Sequence, residues 1–192
     1  MNHINKGKPL PLGSSITPNG VNFSLIATNA EYIEILIFEN EEAVFPKAIY
    51  KLDQFYKTGP YWHAEIKNHT EGCIYAYRVK QKNNGVNNNY ERKILLDPCS
   101  RGITGWNRYE REKALKTDDN TNYCLKSVVC DRKVFNFKDY PRPKHSWEET
   151  IIYELHIKAF TESINKNDSC FKKFLKKIPY LKELGITAIE LL

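Results

Sequence analysis

From Gly20 to Val79 apolar and polar residues alternate with a period of two, the pattern of strands that bury one face. Val21, Phe23, Leu25 and Ala27 alternate with Asn22, Ser24 and Ile26, and Ile33, Ile35 and Ile37 alternate with Glu34 and Leu36. After the turn Lys57-Thr58-Gly59-Pro60 the alternation returns in Trp62, Ala64 and Ile66. After Glu71-Gly72 it returns again in Cys73, Tyr75, Tyr77 and Val79. Several short strands with turns between them predict an antiparallel sandwich over residues 8–100. Gln81 to Tyr90 is so polar and so rich in Gly and Asn that it reads as an exposed loop. Ile94-Leu95-Leu96-Asp97-Pro98 then closes the module, because Pro98 has no N–H to offer a ladder.

Residues 101–148 show weak periodicity, many charges and the run Tyr140-Pro141-Arg142-Pro143, and read as a connecting segment, partly packed and partly mobile. The character changes at Thr150. Ile151-Ile152-Tyr153-Glu154-Leu155-His156-Ile157 is nearly continuous in apolar residues, as a parallel strand covered on both faces should be. A helix follows, capped by Asp168 or Ser169, with Phe171, Phe174, Leu175, Ile178, Leu181 and Leu184 forming one apolar stripe. Pro179 should kink or divide it, and Gly185 stands where a left-handed cap is wanted. Ile186 to Leu192 reads as a second buried strand, which makes residues 149–192 one β-α-β unit. Ending inside a buried parallel strand is expected of a truncated chain.

Composition narrows the classes. The 192 residues carry a net charge of +6, mean hydropathy of −0.57 and no apolar run near the roughly 18 to 20 residues of a membrane span. No apolar stretch follows Met1-Asn2-His3-Ile4-Asn5-Lys6-Gly7-Lys8, so the start is not a secretory signal and a cytoplasmic location is the expectation. Basic residues are interspersed with acids except at Lys172, Lys173, Lys176 and Lys177, which fall on the solvent side of the apolar stripe, so nucleic acid is not an expected partner. The five cysteines, Cys73, Cys99, Cys124, Cys130 and Cys170, show no CxxC pair and no His at ligand spacing; they read as reduced thiols, and neither metal nor organic cofactor is expected.

The run Ile151 to Thr161 followed by Lys177-Ile178-Pro179-Tyr180-Leu181-Lys182-Glu183-Leu184-Gly185-Ile186-Thr187-Ala188-Ile189-Glu190-Leu191-Leu192 resembles the start of the catalytic barrel in glycogen debranching enzymes of the isoamylase type, in the α-amylase clan. Upstream matches keep the same order: Pro11-Leu12-Gly13, Pro18-Asn19-Gly20-Val21-Asn22-Phe23, Thr58-Gly59, Trp62-His63, Gly72, Tyr75-Ala76-Tyr77-Arg78-Val79, Leu95-Leu96-Asp97-Pro98, Lys126-Ser127-Val128-Val129 and Trp147. Cys99 departs from the aromatic usual after Asp-Pro, and Ser169-Cys170-Phe171 replaces a Gly-Thr pair. Trehalose-releasing hydrolases, pullulanases and branching enzymes of the clan are the alternatives, as is a free-standing glycan-binding or scaffolding module.

The resemblance implies a mainly β fold, an immunoglobulin-like antiparallel sandwich of the glycogen-binding type followed by the first β-α-β unit of a truncated (β/α)8 barrel. The implied activity is retaining hydrolysis of α-1,6 branch linkages in glycogen or related α-glucans, which needs a nucleophilic carboxylate and a protonated acid roughly 5 to 5.5 Å apart. In the family those acids come from later barrel strands, so this chain is expected to hold no catalytic residue and to be inactive alone. Glu154 and Glu190 fall in mid-strand and read as buried structural acids, not as the hydrolytic pair. His156 shares the face of Glu154 by period two, and with Lys158 and Phe160 it forms the candidate substrate-binding set. Trp62, Tyr75 and Tyr77 alternate as core residues do, so no aromatic sugar platform is evident and at most weak glycan affinity is expected.

Overall fold

The computed structural model describes residues 3–82, 92–131, 140–162 and 169–192. It divides into two compact units, Met1–Val134 and Phe135–Leu192. Along the first run β1 (Ile4–Asn5), β2 (Gly13–Thr17), β3 (Gly20–Ile26), β4 (Ala30–Phe38), β5 (Ala48–Leu52), β6 (Lys57–Thr58), β7 (Tyr61–Lys67), β8 (Ile74–Gln81), β9 (Gly102–Thr104) and β10 (Lys126–Val128). One sheet has the order β1-β7-β3-β2 with β6 on β7, and the other the order β5-β4-β8-β10-β9. All of these pairings are antiparallel. Most of the loop expected from Gln81 to Tyr90 lies outside the described residues.

The two sheets close on one core. Val21, Phe23, Trp62, Ala64 and Ile66 from the first sheet meet Ile33, Ile35, Ile37, Tyr75 and Tyr77 from the second, the same residues that the period-two pattern turns inward. Phe23 and Tyr75 meet edge to face, centroids 4.8 Å apart. Trp62 satisfies its indole N–H by donating to the Ala27 carbonyl at 2.8 Å, so its buried polar atom costs little.

Two departures from simple alternation have the same cause, a second layer of chain. Asn22 and Ser24 occupy the polar face of β3 and are nonetheless buried, because the amino-terminal residues cross that face. Asn22 accepts from the Lys8 N–H and donates to the Lys8 carbonyl, Ser24 donates to the Pro9 carbonyl at 2.6 Å, and His63 meets the Lys6 carbonyl at 2.7 Å. Gly7 permits the approach, with φ of +70° and a Cα that lies too close to Ala64 and Glu65 for any Cβ.

The second sheet is covered outside as well. Leu36, Phe38 and Ala76 pack there against Ile94 and Cys124, with Ala114 alongside. Residues 101–148 were expected as a connection, yet their first part belongs to the sandwich: β9 and β10 extend the sheet through Ser127↔Tyr75 and Val128↔Ile74. These strands have three residues each, too few to show a period. Between them α1 (Arg111–Leu115) is held by Asn120, which accepts from the Ile94 N–H and donates to the Ile94 and Ala114 carbonyls.

In the second unit β11 (Ile152–Leu155) pairs in parallel with β12 (Ala188–Leu191), from Ile152↔Ala188 to Leu155↔Leu191. Between them stand α2 (Ile157–Phe160), α3 (Cys170–Leu175) and α4 (Ile178–Glu183). The expected helix is divided at Pro179, which takes the first turn of α4, where its missing N–H leaves no bond unmade. Ser169 is the cap of α3, accepting from the Lys172 N–H; the alternative cap, Asp168, lies outside the described residues. Gly185 has φ of +87° and the Ile186 N–H reaches back to the Leu181 carbonyl, a Schellman ending of α4. Leu155, Ile157, Phe174 and Leu181 form the core of this unit, while Phe171, Leu175 and Leu184, on the same predicted stripe, stay exposed.

Candidate functional site

The first strand of the second unit is shorter than its apolar run suggests. It ends at Leu155, and His156 is the amino-terminal cap of α2, not a strand residue sharing the face of Glu154. The reason is local: the imidazole Nδ1 accepts from the Ala159 N–H at 3.3 Å, and the His156 carbonyl accepts from the Phe160 N–H at 3.0 Å, which turns the chain out of the ladder. His156 and Lys158 are exposed, and the Phe160 ring stands 6.1 Å from Tyr153 and 6.3 Å from Phe174. The three candidates therefore lie on one connection just past the carboxyl end of β11. An imidazole and an ammonium there can donate to hydroxyl groups, while Phe160 is partly engaged with the local core. Glu154 and Glu190 are lateral neighbours in the parallel register, and both are exposed, not buried as the sequence reading has them.

In the first unit Trp62, Tyr75 and Tyr77 are core residues. Asp97 of Leu95-Leu96-Asp97-Pro98 accepts from the Tyr75 hydroxyl at 2.6 Å and from the Cys99 N–H at 2.8 Å, and its own N–H donates to Ser127 Oγ at 3.0 Å. Burial raises its carboxyl above the ordinary carboxylate range, and burial together with the Asp97 charge raises the Tyr75 phenol. With Leu95 bonded in both directions to Tyr77, this motif is a lock between the closing segment and β8. Cys73, His69 and Tyr50 form a second polar cluster, with Sγ 3.7 Å from His69 Nδ1 and the Tyr50 hydroxyl 3.5 Å from Nε2. Burial pushes the Cys73 thiol up to about 11 and holds His69 below its usual value, so the sulfur is a protonated thiol and not an activated nucleophile. All five cysteines are free, and among the described residues no group of His, Cys, Asp and Glu is placed to hold a metal ion.

Sequence reasoning missed one arrangement on this unit. Trp106 is 65% exposed, and its indole meets the Tyr109 ring edge-on at 5.8 Å. The pair sits on the turn after β9, where Gly105 has φ of +96° and its carbonyl accepts from the Arg108 N–H. The signal was a Trp and a Tyr three residues apart after a glycine, inside a stretch whose charges made it look like a linker.

The fold is that of a modular protein, an antiparallel sandwich followed along the chain by a unit with a two-stranded parallel sheet. Residues 11–100 match the model of carbohydrate-binding module 48, the isoamylase N-terminal domain. That stretch is similar to this module family. Over its whole length the chain is 31% identical to a glycogen debranching enzyme of Pectobacterium atrosepticum and 32% identical to one of an Enterobacter species; it covers 30% of each. The chain thus spans less than a third of the length of these relatives. Two solved structures share its fold over 95% of its residues: the catalytic module of the glycogen-degrading pneumococcal virulence factor SpuA (TM-score 0.69, 19% identity, 26% of that chain) and the GBS pullulanase SAP in complex with maltotetraose (TM-score 0.69, 21% identity, 23% of that chain).

Proposed function

We propose that residues 1–192 are the amino-terminal part of a retaining glycoside hydrolase that cleaves α-1,6 branch linkages in glycogen or related α-glucans. In this reading residues 8–100 are the glycan-binding sandwich, residues 101–148 connect it onward while packing their first part on it, and residues 149–192 begin a (β/α)8 barrel. The observation that carries it is the parallel pair β11 and β12 joined through helices, with Ile152 53% and Leu191 50% exposed. Parallel strands are a two-sided buried architecture, so these faces call for further strands and helices. The similarity of the whole chain to about the first third of the length of debranching enzymes supports this reading of the barrel.

The acid and the nucleophile would then come from later strands, and His156, Lys158 and Phe160, at the carboxyl end of the first, would border the sugar site. A cytoplasmic location fits five free thiols, and no described helix is long and apolar enough to cross a membrane. The test is to assay residues 1–192 beside the product of the reading frame continued past Leu192. Release of reducing ends from glycogen by the longer chain alone, with the α-anomer formed first, is expected. Turnover by residues 1–192 that Glu154→Gln or Glu190→Gln abolishes would overturn the reading, as would a continued frame with no carboxylates at strand ends.

A further inference from the structure

We infer that the Trp106–Tyr109 corner is a sugar-stacking platform for an α-1,4-glucan segment, an inference that rests on the proposed function. A glucosyl ring presents a C–H face to an aromatic surface and a rim of hydroxyls to polar neighbours, so a platform needs an exposed, electron-rich ring held still with donors beside it. Trp106 meets the first requirement, with 65% of its surface open and its orientation set by the Tyr109 ring at 5.8 Å and 76°. The second is met by anchoring. The Arg108 guanidinium donates to the Glu42 carbonyl at 2.8 Å and to Asn122 Oδ1 at 3.0 Å, tying the turn to the β4–β5 connection and to the segment before β10. The Glu110 N–H donates to the Tyr123 carbonyl on the far side of the pair. A ring held in this way has little ordering entropy left to lose on binding. The Tyr109 hydroxyl and the Asn107 amide, both on exposed residues of the turn, supply the polar partners.

Phe55, another exposed aromatic paired with a second ring, fits less well. It is paired with Tyr56, but the Lys6 ammonium lies 5.3 Å above its ring, and a benzyl group offers no hydrogen bond. The rings of Trp62, Tyr75 and Tyr77 are inside the sandwich. The platform therefore lies on the covering segment between β9 and β10, outside the stretch that matches the module family.

The test uses the three tryptophans as reporters, Trp62 in the core and Trp106 and Trp147 exposed. In a ¹⁵N-labelled full chain titrated with maltoheptaose, the Trp106 indole N–H should shift with a millimolar-range dissociation constant while Trp62 stays still. Trp106→Ala should weaken binding about tenfold, as loss of one stacked ring does. Tyr109→Phe, which keeps the ring and removes the hydroxyl, should weaken binding less than Tyr109→Ala, which should approach the effect of Trp106→Ala. Backbone shifts that titrate with unchanged affinity in Trp106→Ala would overturn the platform and leave glycan binding by the chain intact. No shift in any indole or backbone amide would overturn it too, while the debranching reading would still stand or fall on the continued reading frame.

Discussion

Asn120→Ala is the sharpest test of how the sandwich is covered. Asn120 is 3% exposed, and its side chain makes three hydrogen bonds to backbone: from the Ile94 N–H at 2.9 Å, and to the Ile94 and Ala114 carbonyls at 3.1 Å each. Alanine leaves the N–H and carbonyl of Ile94, itself a core residue, with no protein partner at that site. An unsatisfied buried polar group costs roughly 1 to 3 kcal/mol, so the substitution should destabilise the first unit by about 3 kcal/mol, allowing for partial access of water to the Ala114 carbonyl. At about 4 °C per kcal/mol for a unit of this size, the midpoint of its thermal transition should fall by about 12 °C. Differential scanning calorimetry on Asn120→Ala beside the exposed control Asn107→Ala gives the number. Hydrogen exchange should show the loss locally, because the Tyr123 and Cys124 N–H groups both donate to the Asn120 carbonyl. A midpoint within about 2 °C of the wild type would mean that residues 105–125 are not an integral layer of the sandwich, and the anchoring argued for Trp106 would go with it.

Three further outcomes follow from the same interactions. Asp97 has its folded carboxyl raised by burial, so its contribution is greatest while it is protonated, below the unfolded value of about 3.9, and declines as pH rises through the folded value. The stability of the wild type relative to Asp97→Asn, measured by urea unfolding, should fall as pH is raised from about 3 to 6; a flat or rising difference would refute the assignment. Amide exchange should be much faster in Ala188–Leu191 than in Gly20–Ile26, because Ile189, Leu191 and Leu192 are exposed and each such side chain forgoes roughly 1.5 to 3 kcal/mol of burial. Equal protection in a monomeric sample would show that the β12 edge is satisfied within this chain. The same open faces should bind a hydrophobic dye, and the signal should drop when the reading frame is continued past Leu192.

The strands that carry the sandwich were legible because one physical rule governs them: a side chain buried every second residue leaves a mark every second residue. Val21 to Ala27, Ile33 to Ile37, Trp62 to Ile66 and Cys73 to Val79 bear that mark, and the structure places strands on all four. Pro179 and Gly185 were legible for a similar reason, since each forbids or permits a backbone state by its own covalent geometry. Ile186 to Leu192 likewise announced a strand, and β12 pairs there in parallel.

What the sequence pattern left to the tertiary structure are the places where distant segments meet and one local turn, at His156. Asn22 and Ser24 look solvated in sequence and are buried by residues 6–9, because the Lys8 N–H and carbonyl pair with the Asn22 amide and the Pro9 carbonyl accepts from the Ser24 hydroxyl. His156 reads as a strand residue and turns out to cap α2, since a single side-chain bond to the Ala159 N–H outweighs the apolar run around it. β9 and β10 have no period of their own; their pairing is dictated by β8, and only that pairing makes a supposed linker into a rigid layer and holds two aromatic rings at its surface. Local pattern records what each segment would bury, while the partner that buries it is chosen by contacts far apart in the chain.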